Sequence, residues 1–181
     1  MTGVDYSIEW PRIYEHELAL LRKALGNEIV RAHHIGSTAV PGLAAKPVID
    51  ILLEVRSVER LDAFDSAMEE LGYQPHGEFG IPGRRYYPKG GDDRTHHVHA
   101  FADSDQQIEA YLVFRDYLRT HQAAVAEYAA VKREGSMAHE TDPEEYVAFK
   151  QGFVERIVAK AVHWAEERRI TERAGEQEDA A

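Results

Sequence analysis

Three side chains in this sequence, Asp50, His97 and His99, are of the types that hold metal ions or move protons. Each falls in a strand-like run. Asp50 interrupts the apolar stretch from Val48 to Val55. A buried carboxylate without a partner is costly, so an acid in such a place is a candidate cation ligand. His97 and His99 alternate within the run from Thr95 to Phe101, and the period of two puts both imidazoles on one side. An H-x-H pair on a strand can present two metal ligands, or a general acid and a general base. Upstream lies a glycine-bearing turn, Gly36-Ser37-Thr38, followed by Val40-Pro41-Gly42. Backbone N–H groups in such a turn can cradle an anion. The combination predicts phosphate and a divalent cation held side by side. The plainer chemistry stays open beside it: a turn that binds nothing, an Asp satisfied by hydrogen bonds, and structural histidines.

The elements that must position these groups are legible in the apolar spacing. Tyr14, Leu18, Leu21 and Leu25 form one face of a helix that begins at Pro11 and stops at Gly26. A short strand, Ile29 to Ile35, leads into the turn. In the next strand Ile49, Ile51, Leu53 and Val55 share one face, and Asp50, Leu52 and Glu54 the other. Glu54 is roughly 13 Å along the strand from Asp50, too far to share its ion. Leu61, Phe64, Met68 and Leu71 predict a second helix ending at Gly72, with an acidic outer face of Glu59, Asp62, Asp65, Glu69 and Glu70. Arg84 to Tyr87 reads as a strand, and Lys89-Gly90-Gly91-Asp92 as its hairpin connection to the histidine strand. Ser104 and Gln107 fit a capping box. Helices to about Thr120 and over roughly 122–134 follow. The last helix is capped by Asp142, with Pro143 in first position.

The whole chain sets bounds on partners. At 181 residues it predicts one domain over 1–165, with a charged, apolar-poor tail over 166–181 that frays or is disordered. The absence of cysteine suits a reducing compartment. No apolar run approaches the roughly 18 residues of a membrane span, and the opening residues do not resemble a signal peptide, so a soluble, cytoplasmic protein is expected. The formal charge is -11, from 32 acidic and 21 basic residues, which argues against nucleic acid as a partner. Two stretches run against that charge: 31–46, with Arg31 and Lys46 and no acid, and 84–99, with Arg84, Arg85, Lys89 and Arg94. A local basic pocket on an acidic protein suits a small anionic ligand such as a nucleotide.

The run His34-Ile35-Gly36-Ser37-Thr38-Ala39-Val40-Pro41-Gly42-Leu43, with Ala45-Lys46-Pro47 and Ile49-Asp50-Ile51, resembles the signature of the GrpB family. Thr95-His96-His97-Val98-His99 resembles that family's second block. Phe114-Arg115-Asp116-Tyr117-Leu118-Arg119, Tyr128 with Lys132, and Tyr146 with Lys150 resemble its helical half. The likeness covers roughly residues 8–160. It implies the nucleotidyltransferase superfamily, hence an α/β (α+β type) fold: a mixed sheet flanked by helices, with a helical C-terminal half. In that superfamily a Gly-Ser turn holds the triphosphate, and carboxylates on the next strand hold one or two Mg²⁺ ions. By resemblance, Gly36 and Ser37 are the phosphate turn and Asp50 the first metal ligand. The superfamily's second carboxylate falls at Leu52, which cannot bind metal. If His97 or His99 joins Asp50, the mixed set suits Mn²⁺, Zn²⁺ or Fe²⁺ better than Mg²⁺.

Three functions follow. The first is transfer of a nucleotidyl group from a nucleoside triphosphate to a small acceptor. Gly36, Ser37 and Thr38 would hold phosphate, and Asp50 with His97 and His99 would supply the metal site and acid–base chemistry. Lys46, Arg84, Arg85 and Lys132 would offset phosphate charge. The second is a metal-dependent hydrolase or lyase built on Asp50, His97 and His99 without a nucleotide. The third is a non-catalytic module of the same fold that binds a nucleotide or a partner.

Overall fold

The computed structural model describes residues 3–138 and 143–179. Contacts group the chain into two compact units, Met1–Tyr111 and Leu112–Ala181. Asp142, the expected cap of the last helix, lies outside the described residues.

The first unit is built on a four-stranded mixed sheet. Its strands are β1 (Ile29–Ile35), β2 (Ile49–Val55), β3 (Arg85–Lys89) and β4 (His96–Ala102), in the order β1-β2-β4-β3. β1 and β2 are antiparallel, β2 and β4 parallel, and β3 and β4 antiparallel. Helix α1 (Trp10–Leu25) lays Trp10, Tyr14, Leu18, Leu21 and Leu25 on the apolar face of the sheet, against Ile49, Ile51, Leu53, Val55, Val98 and Ala100. Fully burying one aliphatic side chain of this kind contributes roughly 1.5–3 kcal/mol, so this face holds the unit together. Within it, the Glu17 carboxylate accepts from Tyr73 Oη at 2.8 Å and Lys89 Nζ at 2.7 Å. Burial disfavours the ionised form of Glu17. These two bonds, with positive charge from His96 and Lys89, outweigh it and hold the carboxyl below its usual range.

Several expected boundaries shift for local reasons. The second helix is broken into α2 (Val58–Asp62), with Ser57 accepting from the Arg60 amide, and α3 (Asp65–Glu70). At the break the amides of Ala63 and Phe64 bond three residues back, to Arg60 and Leu61, which tightens the turn and ends the first piece. Its acidic face is not wholly solvated: Asp62 pairs with Arg85, and Asp65 accepts from Tyr87 Oη. The expected hairpin joins β3 and β4. A Cβ on Gly90 would run into the Asp93 carbonyl oxygen, so the turn needs glycine there. Helix α4 (Gln107–Thr120) takes its cap from Asp105, whose Oδ1 accepts from the Gln107 amide at 2.9 Å, and not from Ser104.

In the second unit, α5 (Gln122–Ala138) and α6 (Pro143–Asp179) pack together, with Tyr128 stacked on Phe153 at 5.4 Å. A Cβ on Gly135 would meet the Phe149 ring at 2.7 Å, a measure of how closely the two helices approach. Helix α6 continues through the charged stretch after Trp164, and residues 166–176 are all exposed. No helix among the described residues is long and apolar enough to cross a membrane.

Candidate metal and phosphate site

The face of the sheet opposite α1 carries the candidate site. Parallel pairing sets Asp50 of β2 opposite His97 of β4, and Leu52 opposite His99. Alternation then puts Asp50, His97 and His99 on the same side. His99 Nε2 lies 3.2 Å, and His97 Nδ1 3.3 Å, from the same Asp50 oxygen, Oδ1. One ligand atom from each of the three residues falls within 4.8 Å of the others, a spacing that can hold a metal ion. Burial opposes the charged form of Asp50. Hydrogen bonds from His97 and His99, with their positive charge when protonated, outweigh it and hold the carboxyl at about 2. Asp50 is therefore an anion at neutral pH, 27% exposed and accessible to a cation.

The glycine turn abuts this carboxylate. Gly36 has φ +73° and ψ -171°, a backbone region essentially confined to glycine. A Cβ there would lie 2.7 Å from Asp50 Oδ2. Ser37 opens a single 3₁₀ turn, Ser37–Ala39, and is half-buried. Thr38 is turned inward, with its hydroxyl 2.9 Å from His34 Nε2. Lys46 is exposed on the segment leading to β2.

The two adjacent arginines part company. Arg84 is buried beside the histidines, with Nη1 3.5 Å from His99 Nδ1. A guanidinium can only donate, so Nδ1 accepts and the proton of the neutral ring is assigned to Nε2, aimed at Asp50. Arg85 belongs to the other face: it pairs with Ala100 in register and bonds Asp62 at 2.7 and 3.1 Å. Lys132 lies in the second unit, its ammonium 4.6 Å from the centre of the Tyr128 ring. Glu54, on the same face as Asp50, is held by Arg31 and by His33, whose Nε2 is 2.6 Å away. Leu52 is 0% exposed.

Neighbours that the sequence reading passed over are aromatic. Tyr86 pairs with His99 in register, and its ring centre lies 5.6 Å from that of His97 and 5.4 Å from that of His99. Tyr111 lies 5.9 Å from His99. The alternation of β3 against β4 was the available signal for Tyr86. Tyr111 had none, because it reaches the site from a helix.

The GrpB protein family profile matches residues 2–160. The chain belongs to the GrpB family. The crystal structure of the conserved protein GrpB from Enterococcus faecalis superposes with TM-score 0.86 at 37% identity, covering 91% of this chain and 99% of that one. The UPF0157 protein YqkA of Bacillus subtilis is 43% identical over 159 residues, 88% of this chain. The chain spans 46% of that relative's length. Terminal uridylyl transferase 4 from Trypanosoma brucei, solved with bound UTP, shares the fold at TM-score 0.51 and 14% identity, over 86% of this chain and 51% of that one. The architecture is thus mixed α and β, with distant structural similarity to nucleotidyltransferases.

Proposed function

We propose that this GrpB protein binds a divalent cation through Asp50, His97 and His99 and, beside it, the phosphates of a nucleoside triphosphate. Nucleotidyl transfer to a small acceptor is the reaction this arrangement supports best. The observation that carries the reading is the convergence of the three ligand atoms beside the glycine turn. The fold shared with a nucleotidyltransferase solved with UTP supports the nucleotide half. Two imidazoles and one carboxylate favour Mn²⁺, Fe²⁺ or Zn²⁺ over Mg²⁺. With Leu52 buried next along that face and Glu54 engaged by Arg31 and His33, Asp50 is the carboxylate β2 offers to a cation, which favours one cation over two.

Roles follow from chemistry. Asp50 supplies charge and one oxygen. His97 and His99 supply nitrogen, each coordinating as the neutral base. If Nε2 of His99 takes the cation, its proton must move to Nδ1, which breaks the 3.5 Å contact with Arg84 and turns Nη1 to phosphate while Nε and Nη2 stay on the Glu78 and Phe79 carbonyls. Gly36 and Ser37 offer backbone amides to the triphosphate, and Lys46 an exposed ammonium. The acceptor hydroxyl would attack the α-phosphorus as pyrophosphate leaves, its proton passing to solvent.

The two-nitrogen donor set also favours a second reading, a single-cation hydrolase or lyase without a nucleotide. Thermal unfolding with Mg²⁺, Mn²⁺ or Zn²⁺, each with and without ATP, CTP, GTP and UTP, separates them. A ligand at about 100 times its Kd stabilises by roughly 2.7 kcal/mol. A shift that needs nucleotide and metal together, and disappears in Asp50→Asn, supports nucleotide chemistry. A shift from transition metal alone, lost in His97→Ala/His99→Ala, favours the second reading. No shift with any combination overturns both.

A further inference from the structure

We infer that the loop at residues 77–83 presents an aromatic shelf, Phe79 upon Tyr86, that stacks the base of the nucleotide whose phosphates lie at the cation site. The inference rests on the nucleotide reading above and adds the subsite for its base.

Phe79 is 62% exposed and has φ +47°. It is the one non-glycine residue with positive φ among the described residues. A bulky residue in that conformation is strained, and such strain gathers at ligand clamps. Burial does not explain it, because the ring points outward. The ring instead stacks on Tyr86 at 5.3 Å and 20°, with His76 edge-on to both. Tyr86 in turn contacts His97 and His99, so a continuous line of rings runs from solvent to the candidate cation ligands.

The loop is tied down on the side of the site. Arg84 donates through Nε to the Glu78 carbonyl at 3.2 Å and through Nη2 to the Phe79 carbonyl at 2.9 Å. Its remaining nitrogen faces His99. The Tyr86 amide donates to the Gly77 carbonyl at 2.9 Å, and the Gly83 amide to the Glu78 carboxylate. One side chain therefore fixes both the shelf and the edge of the cation site. With one face of Phe79 taken by Tyr86, the outer face is open to a planar ring. A phenyl surface offers no hydrogen bonds for base selection, so a nucleobase is held by overlap alone, the larger purines more tightly than the pyrimidines.

The test is calorimetric titration of ATP, UTP and inorganic tripolyphosphate into the Mn²⁺-loaded full chain, with Mn²⁺ binding alone measured first. Phe79→Gly removes the ring and suits the backbone, so it should fold with unchanged or raised thermal stability. Phe79→Trp keeps a stacking face. Wild type should bind ATP more tightly than tripolyphosphate. Phe79→Gly should weaken ATP on the order of tenfold, leaving tripolyphosphate and Mn²⁺ unchanged, and Phe79→Trp should retain ATP affinity. The shelf is overturned if Phe79→Gly binds ATP as wild type does, if it weakens ATP and tripolyphosphate equally, or if wild type does not prefer ATP. Mn²⁺ binding without that preference removes the shelf alone. Binding of neither Mn²⁺ nor, in its place, Zn²⁺ removes the parent reading and the shelf with it.

Discussion

Replacing Gly36 by alanine puts a methyl group into the one place where the turn and the candidate cation ligand touch. The added Cβ would stand 2.7 Å from Asp50 Oδ2, 3.2 Å from its Cβ and 3.3 Å from its Cγ. Two costs add. The backbone at φ +73° and ψ -171° is strained for any L-residue, by roughly 1–3 kcal/mol. The carboxylate can yield only by rotating away from His97 and His99, and losing those charge-assisted bonds costs about 2 kcal/mol more. Gly36→Ala should therefore lose about 3–5 kcal/mol in urea unfolding followed by circular dichroism, and roughly 10 °C in Tm. Gly42→Ala is the control. Its φ is +81° with open space around the added Cβ, so it carries backbone strain alone, about 1 kcal/mol. In Gly36→Ala the displaced Asp50 should also bind Mn²⁺ at least tenfold more weakly. A Gly36→Ala stability within about 0.5 kcal/mol of the Gly42→Ala value would refute the claim that the turn and the carboxylate are in close contact.

Other perturbations follow from the same geometry. Glu17→Gln leaves the Lys89 ammonium facing a neutral amide within the core and should cost about 3 kcal/mol at pH 7. Because the Glu17 carboxyl is held below its usual value of 4.5, its contribution is present at neutral pH and is lost as the pH falls below 4.5 through the depressed value. Acid titration of stability should show that loss in wild type and not in Glu17→Gln. Leu52→Asp should lose at least about 3 kcal/mol and bind no second cation in a Mn²⁺ titration, because position 52 is 0% exposed. Arg85→Ala should cost no more than about 1 kcal/mol, since Asp62 is 46% exposed, and should leave Mn²⁺ binding unchanged.

Local periodicity carried much of this. β1 and the stop at Gly26 lie where the apolar spacing puts them, and the separation of the Ile49 and Asp50 faces follows from alternation alone. The mixed sheet with its helical C-terminal half came from the family resemblance, and the matching profile and structures bear that out. What alternation cannot give is register between strands distant in sequence. The parallel pairing of β2 with β4 is what sets His97 opposite Asp50. The same limit explains the arginines: sequence treats Arg84 and Arg85 as a pair, whereas the sheet turns the second toward Asp62. The break between α2 and α3 hides in an unbroken apolar stripe, because two i→i-3 bonds leave the spacing of buried residues intact. Glu17 and Phe79 were invisible for opposite reasons. One is an acid on an apolar helix face whose partners come from β3 and the segment after α3. The other is a loop ring whose strain has no sequence signature.

On the proposed reading, Asp50, His97 and His99 together hold a divalent cation. Equilibrium dialysis of the purified chain against Mn²⁺ and, separately, Zn²⁺, with metal counted per protein, tests it directly. One equivalent should bind to wild type and be lost in Asp50→Asn and in His97→Ala/His99→Ala, while both variants keep the wild-type circular dichroism spectrum. A wild-type chain that binds neither metal, or variants that bind as much as wild type, would contradict it.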